Sequence, residues 1–128
     1  MKKPVPKPTD AEMAILQVLW RRGPCTVREV HGDISPDRGT GYTTTLKLLQ
    51  IMAEKGLVCR DASGRAHVYE AACDEAAVKR SMVGDLMDRA FDGSARQLVL
   101  HALEAGDVSA DELRAIRRLL KAKGGNRS

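Results

Sequence analysis

Along the first half of the chain, apolar positions recur at the three- and four-residue spacing of helices. Met13, Leu16, Leu19 and Trp20, joined by Ile15, make one face that runs to Arg22 and is stopped by Gly23-Pro24. Thr9 stands three residues before Glu12, the capping-box spacing that opens a helix. The arrangement repeats at once, with Thr26 and Glu29 as a second box and Val27, Val30 and Ile34 on one side of a short second helix. The segment "SPDRGTG", holding Pro36, Gly39 and Gly41, cannot continue that helix and predicts a loop. A third helix follows, with Leu46, Leu49 and Met52 at spacing three, Leu48 and Ile51 alongside, and Gly56 as a left-handed C-cap.

After Gly56 the period falls toward two. "LVCRD" and "RAHVYE" predict strands joined through "ASG" as a hairpin with a tight turn. Three short helices followed by a hairpin is the element order of a winged helix-turn-helix. From Asp74 helical spacing returns: Asp74 caps a segment carrying Val78, Met82, Leu86 and Phe91, "DGS" breaks it, and Ser94 caps a run with Leu98, Val99 and Leu103. Beyond Gly106, Ser109 and Glu112 form another box ahead of Leu113, Ile116, Leu119 and Leu120.

These later helices are each apolar on one side and too short to build a core alone. They predict a homodimer through Val83, Leu86, Phe91, Leu98, Leu103, Leu113, Ile116 and Leu120. The expected fold is mainly α with a small β-hairpin. A basic flexible arm over 1–8 leads into a winged helix-turn-helix DNA-binding domain over 9–72, a helical dimerisation region over 73–122 and a flexible tail over 123–128.

Charge placement adds a functional clue. Residues 1–69 carry 11 Lys and Arg against 7 Asp and Glu, whereas residues 70–128 carry 10 against 10. A basic half joined to a neutral half suits polyanion binding by the first. In a helix-turn-helix the second helix of the motif enters the major groove with its N-terminal residues against base edges. That placement accounts for "GYTTTLK": Gly41 lets the backbone approach the phosphates, and Tyr42 begins the first turn. Thr43, Thr44 and Thr45 are short donors and acceptors with a methyl for thymine, and Lys47 reaches a guanine or a phosphate one turn on. Arg60 and Arg65 flank the hairpin turn, where they either place cations on the DNA backbone or protect an exposed edge from aggregation. Lys2, Lys3 and Lys7 form the basic arm.

The blocks "EMAILQVLWRRGPCTVREVHGDI", "GYTTTLKLLQIMAEKGLVCRDASGRAHVYE", "FDGSARQLVLHAL" and "SADELRAIRRLL" resemble the penicillinase-repressor family, BlaI and MecI with a copper-responsive branch, from Thr9 to about Leu120. The resemblance implies a dimeric winged-helix repressor on a dyad operator, with the C-terminal helices forming the dimer. Family members usually carry Thr where this chain has Lys47 and Arg where it has Ile51, so the operator sequence does not carry over. The resemblance also implies release by a membrane sensor-protease that cuts an Asn-Phe bond in the stretch matching "LVLHALE". His101-Ala102 stands there, without the aromatic ring such a protease would seat, and cleavage at this bond is not expected. The copper-responsive branch has a C-terminal cysteine cluster, whereas this chain ends "KAKGGNRS".

Cys25, Cys59 and Cys73 lack C-x-x-C spacing, and His31, His67 and His101 are scattered, so free thiols and no metal or other cofactor are expected. An enzyme would need partners that Asp85, Asp88, Asp92 and Cys73 do not have in sequence, and no phosphate loop, G-x-G-x-x-G or H-E-x-x-H occurs. No apolar run approaches a membrane span, which predicts a cytoplasmic protein without membrane insertion. A winged-helix module that binds protein rather than DNA is the alternative.

Overall fold

The computed structural model describes residues 7–34 and 41–125. The basic arm through Lys2 and Lys3, the loop with Pro36 and Gly39, and the last three residues of the tail lie outside them. The elements are α1 (Asp10–Arg22), β1 (Cys25–Thr26), α2 (Val27–Asp33), α3 (Tyr42–Lys55), β2 (Val58–Asp61), β3 (Val68–Ala71), α4 (Glu75–Ala90), α5 (Ala95–Ala105) and α6 (Ala110–Gly125). The chain forms two compact units, Met1–Val83 and Gly84–Ser128, and the division falls within α4. The first unit is a winged helix-turn-helix.

Both N-terminal capping boxes are closed in both directions. Thr9 N–H donates to Glu12 Oε1 at 2.8 Å and Glu12 N–H to Thr9 Oγ1 at 3.2 Å; Thr26 N–H donates to Glu29 Oε1 at 2.9 Å and Glu29 N–H to Thr26 Oγ1 at 3.2 Å. Each box satisfies two N–H groups that a helix leaves open. Gly56 closes α3 at φ 83°, in the left-handed region that a side chain would strain.

The core of the first unit gathers Ile15, Leu16 and Leu19 of α1, Val27 and Val30 of α2, Leu49 and Met52 of α3, Leu57, and Val58 and Tyr69 of the sheet. Burying each large aliphatic side chain contributes about 1.5–3 kcal/mol. Glu12 is buried as well, held at 2.8 Å from Lys55 Nζ, which ties the start of α1 to the end of α3. Burial alone would raise the Glu12 pKa, but the Lys55 ammonium and the Thr9 N–H outweigh it and hold the carboxyl below its ordinary value. Trp20 Nε1 donates to the Cys73 carbonyl at 3.2 Å, fastening α1 to the segment that leads into α4.

The β region differs from the sequence expectation in two respects. The sheet has three strands in the order β1-β3-β2, all antiparallel, because Cys25 and Thr26 pair with Tyr69 and Val68. Two residues carry no readable period, so β1 left no signal in the sequence. The turn between β2 and β3 is a six-residue loop, 62–67, rather than a tight "ASG" turn. Asp61 Oδ1 accepts from Ser63 N–H at 3.0 Å, and this local bond diverts the backbone as β2 ends.

In the second unit Ser94 caps α5 through Gln97 N–H at 3.1 Å, and Ser109 caps α6 through Glu112 N–H at 3.1 Å. α6 continues to Gly125, so residues 123–125 are helical where the sequence predicts a tail. Lys123 in its last turn suits the negative end of the helix.

Candidate nucleic-acid interface

α3 separates its residues sharply. Thr45, Leu49 and Met52 are buried, while Tyr42, Thr43, Thr44, Lys47, Gln50 and Glu54 are exposed. At 100° per residue, Thr43, Lys47, Gln50 and Glu54 fall within one narrow stripe, and Thr44 borders it. The expectation that all three threonines face outward is therefore corrected at Thr45. It lies on the far side of the helix, its Oγ1 donates to the Gly41 carbonyl at 3.2 Å, and it stands 3.5 Å from His31 Nδ1.

His31, in the last turn of α2, also meets the Tyr42 ring edge-on at 6.0 Å between centroids. These contacts fix the first turn of α3 against α2.

The N-terminus of α3 is open in another sense. α1, α2, α5 and α6 begin with a hydroxyl that accepts a first-turn N–H, whereas the N-cap of α3 is Gly41, which has no side chain to offer. A Cβ built on Gly41 would meet nothing within 4 Å among the described residues. Its φ of −79° suits any residue, so what the glycine does is leave the first-turn N–H groups of α3 without a side-chain cap.

Lys47, Arg60 and Arg65 are all exposed and enter no ion pair among the described residues. Arg60 lies in β2 opposite Tyr69, and Arg65 lies in the wing loop. Three other cations of the first unit are occupied: Arg22 bridges Glu29 at 3.3 Å and Asp33 at 2.8 Å, Lys55 holds Glu12, and Lys79 holds Glu75 at 2.6 Å. Sequence reasoning overlooked Gln50, although its spacing from Thr43 and Lys47 places it on their stripe. It also overlooked Arg28 and His67, which the fold alone brings beside Arg65.

The sites considered for other chemistry have structural occupations. Cys25 Sγ donates to the Gly23 carbonyl at 3.2 Å and Cys73 Sγ to the Leu57 carbonyl at 3.5 Å; burial pushes both thiols up, away from the thiolate a nucleophile requires. Asp85 pairs with Arg89 at 3.0 Å. Among the described residues no His, Cys, Asp and Glu side chains cluster as a metal site, and no helix is long and apolar enough to cross a membrane.

Of the residues expected at a dimer contact, Val83, Leu86, Leu103, Leu113 and Leu120 are exposed, while Phe91, Leu98 and Ile116 are half-buried. Leu103 and Leu113 line one groove at the α5–α6 corner. The Phe91 ring packs on His101 at 5.4 Å between centroids, and His101 Nδ1 lies 2.9 Å from the Gln97 carbonyl.

A family model described as penicillinase repressor matches residues 8–122. The chain belongs to the penicillinase repressor family. Within it, the chain is 38% identical over 123 residues to a transcriptional regulator BlaI of Mycobacterium tuberculosis, covering 92% of this chain and 88% of the relative. Among solved structures it resembles the DNA-binding domain of the repressor BlaI, with a TM-score of 0.51 and 28% identity over 60% of this chain and 93% of that one. It also resembles the monomeric form of Bacillus licheniformis BlaI in complex with the blaP half-operator, with a TM-score of 0.50, 28% identity and the same coverage. Lys47, where the family resemblance implies Thr, is exposed on the outer stripe of α3, and Ile51, where it implies Arg, is half-buried on its flank. The first departure thus bears on what the helix touches, and the second on how it packs.

Proposed function

We propose that this protein is a sequence-specific transcriptional repressor that binds a dyad operator as a homodimer. The observation that carries the reading is the exposed face of α3: an uncapped N-terminus, short hydroxyl side chains and Lys47, with the unpaired Arg60 and Arg65 on the wing of the same domain. BlaI relatives bearing the names of regulators and repressors support it, as does the half-operator bound to one of them.

Thr43, Thr44 and Lys47 read base edges, Gln50 offers an amide suited to adenine, and Gly41 and Tyr42 bring the backbone N–H groups to a phosphate. Arg60 and Arg65 hold the flanking backbone. The exposed apolar residues of the second unit join two copies, which places two reading helices on half-sites separated by one or more helical turns. If a membrane sensor-protease releases the family's repressors, the loss of the aromatic at His101-Ala102 directs release of this one to another bond, a ligand or a partner.

Selection of bound genomic fragments supplies the operator. On it, Thr44→Ala or Lys47→Ala weakens binding by about 1–3 kcal/mol, and by less on random duplex. Equal losses on both would reduce these residues to backbone contacts. Recovery of no common sequence, with affinity insensitive to salt, would favour a protein-binding module.

A further inference from the structure

We infer that the groove between α2, the start of α3 and the wing loop is a seat for one sugar-phosphate unit of the DNA backbone, with Arg28 as its principal phosphate ligand. The inference rests on the DNA-binding reading and deepens it. The groove is open and has a volume of about 530 Å³, with Arg28, Arg65, His67 and Thr26 among its polar lining and Val27 and Leu46 among its apolar walls. Arg28, Arg65 and His67 come from two elements far apart in sequence, the second residue of α2 and the loop 62–67, and all three are exposed.

Neither arginine has an ion-pair partner among the described residues, although Glu29 stands next to Arg28 in sequence. Glu29 is engaged elsewhere, with one oxygen on Thr26 N–H and the other at 3.3 Å from Arg22. Two guanidiniums left facing one groove repel each other unless an anion lies between them, and a phosphate accepts from both. The apolar wall of Val27 and Leu46 suits the deoxyribose attached to that phosphate, which a bare inorganic anion would leave uncovered. Leu46 and Tyr42 belong to the first turns of α3, so the groove adjoins the stripe proposed to read bases, and a duplex on that stripe runs its backbone alongside. Arg28 thereby fixes the register of the reading helix without itself reading sequence.

The full-length protein is titrated with the selected operator, and with a 30-base-pair duplex of arbitrary sequence, between 50 and 200 mM salt. Removing one phosphate contact lowers the slope of log affinity against log salt by about 0.9. Arg28→Ala then loses about 3.5-fold less affinity than wild type across that range on both duplexes, since four raised to 0.9 is about 3.5. Arg28→Lys retains the wild-type slope, and Arg80→Ala, which removes the same charge from α4, leaves it unchanged. A scan replacing single operator phosphates by neutral methylphosphonates locates one position that weakens wild type and leaves Arg28→Ala unaffected. An unchanged slope for Arg28→Ala while wild type binds, or equal effects from Arg80→Ala, would overturn the inference and leave the base-reading face standing. Failure of wild type to bind either duplex would overturn both.

Discussion

The two units keep their large apolar side chains in opposite places. In the first, Ile15, Leu16, Leu49, Met52 and Leu57 are fully buried, whereas in the second Leu100, Leu103, Leu119 and Leu120 stand 45%, 37%, 69% and 63% exposed. Both units are built from capped, amphipathic helices, so the difference does not arise from local helix formation. It arises from what lies against the apolar face: α1, α2, α3 and the sheet cover one another, while α5 and α6 have no buried residue among those described. An amphipathic pattern states which face requires a partner and says nothing of where the partner comes from. For the second unit we propose a second copy of the chain.

The largest expected effects break this comparison open from its two sides. Leu16→Ala removes a fully buried side chain and lowers the unfolding free energy by about 2–5 kcal/mol, read from denaturant midpoints, while leaving the dimer detectable by sedimentation where the protein remains folded. Leu120→Asp does the reverse. Its site is 63% exposed in the single chain, so the winged unit keeps its stability, but a carboxylate forced into each half of a two-fold contact raises the dissociation constant more than a hundredfold, about 3 kcal/mol. If Leu120→Asp sediments as wild type does, the exposed face of α6 is not the dimer contact.

The same contrast explains what was legible in the sequence. Thr9, Thr26, Ser94 and Ser109 announced their helices because capping is local, settled by a residue and the N–H groups two or three positions later. Long-range pairings were not announced. Cys25 pairs with Tyr69, Trp20 donates to Cys73, and Glu12 holds Lys55 across 43 positions, yet none leaves a periodic trace. Glu12 looked like a cap residue and is also the buried half of an ion pair. At the candidate site, Thr43, Thr44 and Lys47 were visible from helical spacing. Gln50 lies two turns into α3, beyond the hydroxyl-rich first turn that marks the helix, and the groove neighbours of Arg28 are contributed by a loop almost forty residues away.

A sharper probe of the first unit is Glu12→Gln. The amide keeps an acceptor for Thr9 but gives up the charge that Lys55 faces, at a cost of about 1.5 kcal/mol, the low end for a charged hydrogen bond because Lys55 is partly solvated. The folded-state pKa of Glu12 lies below its ordinary value, so the stabilisation is complete above that value, near 4.5, and is lost as pH falls through the folded-state value. Wild type and Glu12→Gln should therefore differ at pH 7 and converge in acid below 4.5. A gap that stays constant with pH would assign the difference to packing instead of charge.

The smallest expected effect belongs to the second unit, at the bend between α4 and α5. Asp92 sits at φ 53° and Gly93 at φ 78°, and Gly93 N–H donates to the Met87 carbonyl at 3.0 Å, so two successive left-handed residues turn the chain. A left-handed conformation costs an L-residue about 1–2 kcal/mol, less for Asp, whose short polar side chain tolerates it. Asp92→Gly removes that strain but adds freedom to the unfolded chain worth about 0.5–1 kcal/mol, leaving a net gain of about 0.5 kcal/mol. Asp92→Val replaces the reduced penalty that Asp carries with the full steric one and loses the difference, about 0.5–1 kcal/mol. Both are read from denaturant midpoints at one fixed protein concentration, because stability linked to association shifts with concentration. The opposite signs are the decisive feature. A loss for both variants would mean that the Asp92 side chain stabilises the bend by a contact of its own, and the second unit would then have a local anchor that its exposed helices do not suggest.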